Sequence, residues 1–318
     1  MIRICFGFTV PRPGRAAWNV ADGAPLCQRV DIMEVPEAPL RLGGRELGRH
    51  AIMAVVNRTP DSFFDRGATY GFDAALAAVD RAAREGADIV DIGGVKAGPG
   101  DEVDVAEELR RVVDVVAAVR DRHPEIIISV DTWRAEVGEA VAAAGADLLN
   151  DTWGGPDPRL AEVAAAHGVG LVCAHAGGLD PRTRPHRVAY DDVVADVIGH
   201  VLAEAERAEA LGVPRESILI DPAHDFGKNT RHSLEISRRL DELTATGRPV
   251  LVAVSNKDFI GETLGQPVAK RGVGTMAVLG VSAWLGARVF RVHDVAGARH
   301  ALAAVDALGR DVPAVPGP

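Results

Sequence analysis

From Ile52 onward the chain repeats one figure: a short apolar run, a polar tip, then a stretch with apolar residues at three- and four-residue spacing. The short runs are Ile52–Asn57, Asp88–Gly93, Ile126–Thr132, Asp147–Asp151, Gly170–His175, Ile218–Asp221, Val250–Ser255 and Arg288–His293. Runs this short, bounded by turn-forming residues, predict buried strands. Between them, Phe72, Ala75, Leu76, Val79 and Ala83 share one helical face, as do Leu109, Val112, Val113, Val116 and Val119, and Val194, Val197, Ile198, Val201 and Leu202. Eight alternating units over roughly 250 residues predict a closed (β/α)8 TIM barrel, since an open doubly wound sheet usually needs fewer strands.

The flanks read differently. Alternating apolar residues around Gly43-Gly44 in Leu40–Leu47 predict a small hairpin that caps one end of the barrel. Residues 1–39 show no sustained period and are expected to form an N-terminal extension, partly disordered. The barrel is expected over 40–310, with a tail over 311–318.

Composition narrows the class. A chain of 318 residues, 47% hydrophobic and 25% charged, is long enough for one large core and needs no membrane. Cys5, Cys27 and Cys173 follow no metal spacing, and their odd number argues for a reducing compartment. Ile4–Val10 is a short, poor secretory core, so a cytoplasmic location is expected. A net charge of -10 argues against a nucleic-acid partner while permitting a local basic pocket for a small anion.

A barrel places chemistry at the carboxyl ends of its strands. Those positions hold Asn57, Asp91, Asp131, Asn150 with Asp151, His175, Asp221, Ser255 with Lys257, and Arg291 with His293. A rim can be polar simply because it meets water. Yet Asp131 and Asp221 end apolar runs, where a carboxylate is costly unless something donates hydrogen bonds to it. Asp131, Asn150, Asp221 and Lys257 suit a flat ring with an amidine-like edge and carbonyl oxygens. Asn57, Arg291 and His293 suit a polyphosphate, Asn57 offering an oxygen to its magnesium. The competing reading of Arg291 and His293 is an ion pair with Asp294 or another rim carboxylate.

Asn57-Arg58-Thr59-Pro60-Asp61-Ser62, Asp91-Ile92-Gly93-Gly94, Ser129-Val130-Asp131-Thr132, Leu148-Leu149-Asn150-Asp151, Asp221-Pro222 with Phe226-Gly227-Lys228, and Phe290-Arg291-Val292-His293 together resemble the dihydropteroate synthase family. The resemblance runs from about Leu40 to Leu308 and keeps all units in order. It implies a transferase of folate biosynthesis that condenses 6-hydroxymethyl-7,8-dihydropterin pyrophosphate with p-aminobenzoate, using Mg2+, as a homodimer. By the same resemblance Asp131, Asn150, Asp221 and Lys257 bind the pterin. Asn57, Arg291 and His293 hold the diphosphate, with Asn57 the metal ligand; Asn57, Lys257, Arg291 and His293 form the catalytic set. Phe226 and Ser255 line the p-aminobenzoate pocket, and 58–67 is the mobile first loop. The apolar Val278, Leu279, Val281, Trp284 and Leu285, read as part of the eighth unit, exceed what one buried face needs, in keeping with a dimer surface.

Departures from the family pattern cluster around the lid. Val95-Lys96-Ala97-Gly98 stands where Glu-Ser-Thr-Arg is usual, so the second-loop threonine and arginine are absent. Arg58 replaces a small apolar residue, Ala223-His224-Asp225 replaces Gly-aromatic-Gly, and Asn256 replaces an arginine. The alternative is therefore a paralogue that binds a pterin-like ligand without normal synthase activity. A pterin-binding methyltransferase would have no use for Arg291 and His293. A zinc hydrolase built from His175, His224, Asp225 and His293 lacks ligand spacing, and Cys173 beside His175 is a poor nucleophile candidate.

Overall fold

The computed structural model describes residues 40–60, 67–183 and 189–309; the expected extension, the tail and 61–66 of the first loop lie outside the described residues. The hairpin forms as β1 (Arg41–Leu42) and β2 (Arg45–Glu46), turning through Gly43 and Gly44 at positive φ.

The barrel strands are β3 (Ala51–Asn57), β4 (Ile89–Gly93), β5 (Ile127–Asp131), β6 (Leu148–Asp151), β7 (Gly170–Ala174), β8 (Ile218–Asp221), β9 (Leu251–Val252) and β10 (Val289–Val292). Between them run α1 (Phe72–Glu85), α2 (Val105–Arg122), α3 (Ala135–Ala143), α4 (Arg159–His167) and α5 (Val193–Leu211), one after each strand from β3 to β7. After β8 come α6 (Thr230–Arg238) and α7 (Leu240–Thr244), after β9 come α8 (Asp258–Leu264) and α9 (Gly272–Trp284), and α10 (Val295–Gly309) follows β10. All strand pairs are parallel in the order β8-β7-β6-β5-β4-β3-β10-β9, and a bridge between Ile220 and Val250 closes the ring. The eight strands predicted from the sequence are thus the eight observed, each within a few residues of its expected bounds.

Strand periodicity of two sorts the residues into layers. Ile52, Ala54 and Val56 of β3 face the helices, within the large outer core. Met53, Ile89, Ile127, Leu148, Val172, Leu219, Leu251 and Val289 fill the barrel interior at the end closed by Leu40 and Leu42 of the hairpin. Two residues further along each strand, the inward positions turn polar.

Two details differ from expectation. The buried face of α1 is Ala75, Leu76, Ala78, Val79 and Ala82, with Ala83 partly buried against the same core and Phe72 exposed at the first turn. The apolar stripe bearing Val281 and Trp284 belongs to α9, which precedes the last barrel strand instead of following it. Leu279 is buried there, whereas Val281 and Trp284 are 54% and 50% exposed.

Candidate active site

The polar layer is organised by Asp91, two residues inward of the end of β4 and fully buried. It accepts hydrogen bonds from Arg291 Nε at 2.6 Å, Ser129 Oγ at 2.5 Å and Asn150 Nδ2 at 3.2 Å. Arg291 Nη2 also donates to Asp131 Oδ2 at 3.0 Å, and Thr152 Oγ1 donates to Asp131 Oδ1 at 3.1 Å. Burial disfavours the Arg291 charge, but Asp91 and Asp131 outweigh it and hold the guanidinium above its ordinary pKa. Burial pushes the Asp131 carboxyl up to about 7, against the opposing pull of Arg291. The carboxylates that Arg291 meets are therefore Asp91 and Asp131; no bond to Asp294 is among its contacts.

The opposite wall comes from the loops after β8 and β9. Asp221 is buried and accepts from the Ala223 amide at 2.7 Å; burial raises its pKa and nearby Lys257 opposes the rise. Lys257 Nζ donates to the His224 carbonyl and lies 4.8 Å from the centre of the Phe226 ring. Burial lowers the Lys257 pKa, while Asp225 and Asp221 support its charge. Ser255 Oγ meets His293 Nδ1 at 2.9 Å and accepts from the His293 amide at 3.2 Å.

Asn57, Asp131, Phe226, Ser255, Lys257, Arg291 and His293 all line one cavity of about 100 Å3, partly open to solvent. Asn150 and Asp221 are not on its lining: the first is buried against Asp91 and the second turns its carboxylate to the following backbone. Thr59, Val95 and Lys96 complete the mouth, so Lys96 stands on the cavity that also holds Asn57 and His293. Thr59 and Val95 were not singled out from the sequence, and neither was any role for Asp91, although a period of two counted back from Gly93 points it inward.

Lys228 falls within a family-like segment of the sequence but was given no role there. Fully buried, its Nζ donates to the carbonyls of His175 at 2.6 Å, Phe226 at 2.8 Å and Ala223 at 3.3 Å. Burial drives its pKa well down. It thereby holds a loop in which Ala223 and Asp225 both adopt positive φ, +48° and +68°.

Arg58 points away from the ligand cavity. Its Nε donates to the Arg111 carbonyl at 2.9 Å and its Nη1 to the Tyr70 carbonyl. Arg111 stacks on the same Tyr70 ring, 5.6 Å from its centre, and donates to the Gly94 carbonyl at 2.9 Å. The bases of both rim loops are thus tied to α2. Further out, Arg182 donates to the Asp101 carbonyl at 2.7 Å.

The zinc arrangement is not assembled. His175 pairs with Asp196 at 2.7 Å, His224 faces Ser237 at 3.1 Å, and His293 faces Ser255. Among the described residues no group of three His, Cys, Asp or Glu could hold a metal. Burial pushes the Cys173 thiol up to about 12, which leaves it inert as a nucleophile. A divalent cation held by one or two protein oxygens and by phosphate is a different case, and its donors are present. A Cβ built on Gly93 would stand 3.9 Å from both Asn57 Oδ1 and Asp131 Oδ2, so two hard oxygens flank the bare backbone there.

Residues 53–293 match the family described as pterin binding enzyme. The chain is 56% identical over 264 residues to a protein of Mycobacterium leprae named inactive dihydropteroate synthase 2, covering 82% of this chain and 91% of that one. It is 38% identical over 246 residues to the dihydropteroate synthase of Haemophilus influenzae, covering 77% of this chain and 89% of the other. Among solved structures, a Xanthomonas albilineans dihydropteroate synthase with 4-aminobenzoic acid superposes with a TM-score of 0.78 at 38% identity, covering 87% of this chain and all of that one. No helix among the described residues is long and apolar enough to cross a membrane.

Proposed function

The chain belongs to the pterin-binding enzyme family, on the dihydropteroate synthase branch, and from that premise we propose that it binds a pterin diphosphate in the cavity between Arg291 and Lys257. The condensation with p-aminobenzoate is the reaction this scaffold serves, and in this chain it is slowed or lost. The observation that carries the reading is an intact floor beneath an altered mouth. Asp131, Lys257, Arg291 and His293 share one cavity, while the second loop presents Lys96 to it in place of the expected arginine. The relative from M. leprae, similar over most of both chains, is named inactive.

In the synthase reaction the methylene–oxygen bond breaks, diphosphate leaves with the bonding pair, and the neutral amine nitrogen closes on the methylene before its proton passes to solvent. Negative charge grows on the leaving group, so cationic and hydrogen-bond donors at the mouth decide the rate. Arg291 and His293 supply such donors, and Asp131 accepts from the ring's amino edge. Asn57 would hold Mg2+ together with the diphosphate, and the bound ion would neutralise part of the leaving group's charge. Loss of one donor of this kind costs a factor of about 10²–10³ in rate, so the missing loop arginine, with only Lys96 nearby, is expected to slow turnover by that order.

The second reading is an ordinary synthase, favoured by the placement of Asn57, Arg291 and His293 on one cavity. Diphosphate release with magnesium and the pterin diphosphate, with and without p-aminobenzoate, separates the two when paired with calorimetric binding. Binding with little amine-dependent release is the expected result. Rapid release with a pteroate product establishes the ordinary synthase, and absence of binding overturns both. We further propose a cytoplasmic homodimer that pairs through the exposed apolar positions of α9, Val281 and Trp284 among them.

A further inference from the structure

Asp225 stands where the family resemblance leads one to expect glycine, and its backbone keeps the positive φ, +68°, that glycine would adopt without cost. Its carboxylate is fully used. Oδ2 accepts from the amides of Asp258 at 2.7 Å and Phe259 at 3.3 Å, the first turn of α8, and Oδ1 accepts from Ser233 Oγ of α6 at 3.0 Å. Lys257 is the residue immediately before that turn. The same loop supplies the His224 carbonyl that Lys257 Nζ bonds, and the Phe226 ring beneath it.

We propose that Asp225 is a positioning residue for Lys257: from the loop after β8 it fixes the first turn of α8, and so holds the lysine's backbone and its charged tip over the cavity. The idea rests on the reading that Lys257 meets the pterin. Arg271 holds the same turn from its outer side, through the Asn256 carbonyl at 2.9 Å and the Asp258 carboxylate at 2.8 Å, leaving the two helix-start amides to Asp225. The charged and titratable groups that face Lys257 are Asp225, Asp221, Asp131, Arg291, Lys228 and His224. Of these carboxylates Asp225 alone also bonds the lysine's own helix. Its removal therefore both loosens Lys257 and takes away a counter-charge.

Asp225→Gly is the informative variant, because glycine accepts the φ of +68° without backbone strain; its circular dichroism and Tm check that the fold is kept. Asp225→Asn is its conservative partner, retaining an acceptor for the helix-start amides. The first measurement needs no ligand: the pH profile of Lys257 acylation, read by mass spectrometry, with amide exchange at Asp258 and Phe259. In the glycine variant both amides exchange at least about tenfold faster and the Lys257 profile moves to lower pH; in the asparagine variant the amides stay protected. The second is the Kd for 6-hydroxymethylpterin, weakened about tenfold by Asp225→Gly and only a few-fold by Asp225→Asn. Unchanged exchange and an unchanged Lys257 profile in the glycine variant overturn the positioning role, whatever the pterin does. If the natural protein binds no pterin while the Lys257 profile still shifts, the positioning stands and the pterin reading falls.

Discussion

Arg291 of β10 reaches into the barrel to place its Nε 2.6 Å from Oδ2 of Asp91 on β4, joining two strands that are not neighbours in the sheet. The pair is buried, and Ser129 and Asn150 satisfy the remaining carboxylate lone pairs. Asp91→Ala leaves a buried guanidinium with Asp131 alone, and breaking such a pair costs about 3–5 kcal/mol. Urea denaturation of the variant should show a loss of that size; a change under about 1 kcal/mol would show that Asp131 alone suffices for Arg291.

Asp131 titrates near 7 in the folded, ligand-free protein. A pterin amino edge needs an ionised acceptor, so below about pH 7 binding must first expel a proton. Affinity for 6-hydroxymethylpterin is expected to rise from pH 6 to pH 8, approaching tenfold per unit on the acid side, and then level off. Asp131→Asn should bind weakly with a flat profile. A natural protein whose Kd is the same at pH 6 and pH 8 would rule this out.

Asp151 also titrates near 7; burial raises it, and the amides of Gly155 and Trp153, at 2.9 Å and 3.1 Å, only partly offset that rise. A carboxyl whose folded pKa lies above its unfolded value of about 4 binds its proton more tightly when folded. Its contribution is full below about pH 4 and is lost as pH rises through about 7. Thermal unfolding should therefore show Tm falling between pH 5.5 and pH 7.5, with a shallower fall in Asp151→Asn.

Lys96→Arg places a planar, bidentate donor at the cavity mouth, two residues before the position of the family's loop arginine. Amine-dependent diphosphate release should rise by at least about tenfold, given the 10²–10³ that one such donor commonly supplies. Equal rates for the two proteins would show that the second loop does not limit turnover and would direct attention to Asn256 or the loop after β8.

Trp284→Lys with Val281→Lys places two charges on the exposed side of α9 without touching buried Leu279. Sedimentation should report a dimer for the natural protein and a monomer for the variant, with pterin affinity retained. A dimer unaffected by both charges would place the contact elsewhere.

The barrel and most of its floor were legible in the sequence because both follow from simple periods. A period of two along each strand puts Met53, Ile89 and Ile127 in the floor and Asp91, Ser129 and Arg291 one layer above it. What escaped depends on side chains reaching between loops, where no period operates. Lys228 closes on three carbonyls from two loops, and Arg58 turns toward Tyr70 and Arg111 and away from the cavity. Asp225 looked like a departure that weakens the site; its contacts with α6 and α8 give it a use there. Ion pairing of Arg291 with rim carboxylates was foreseen as a rival to phosphate binding, but not that two carboxylates would share it.

The ring of strands has a thin seam. β9 contributes only Leu251 and Val252 to the ladder, and its link to β8 is the single bridge from Ile220 to Val250. Directly above the seam stand Asp221 on one side and Ser255 with Lys257 on the other. Ser255 and Lys257 line the cavity beside this seam, so a molecule held between them and Arg291 is expected to brace the ring where its backbone pairing is sparsest. Ligand and fold then share one free-energy term: binding steadies the seam, and opening the seam weakens binding.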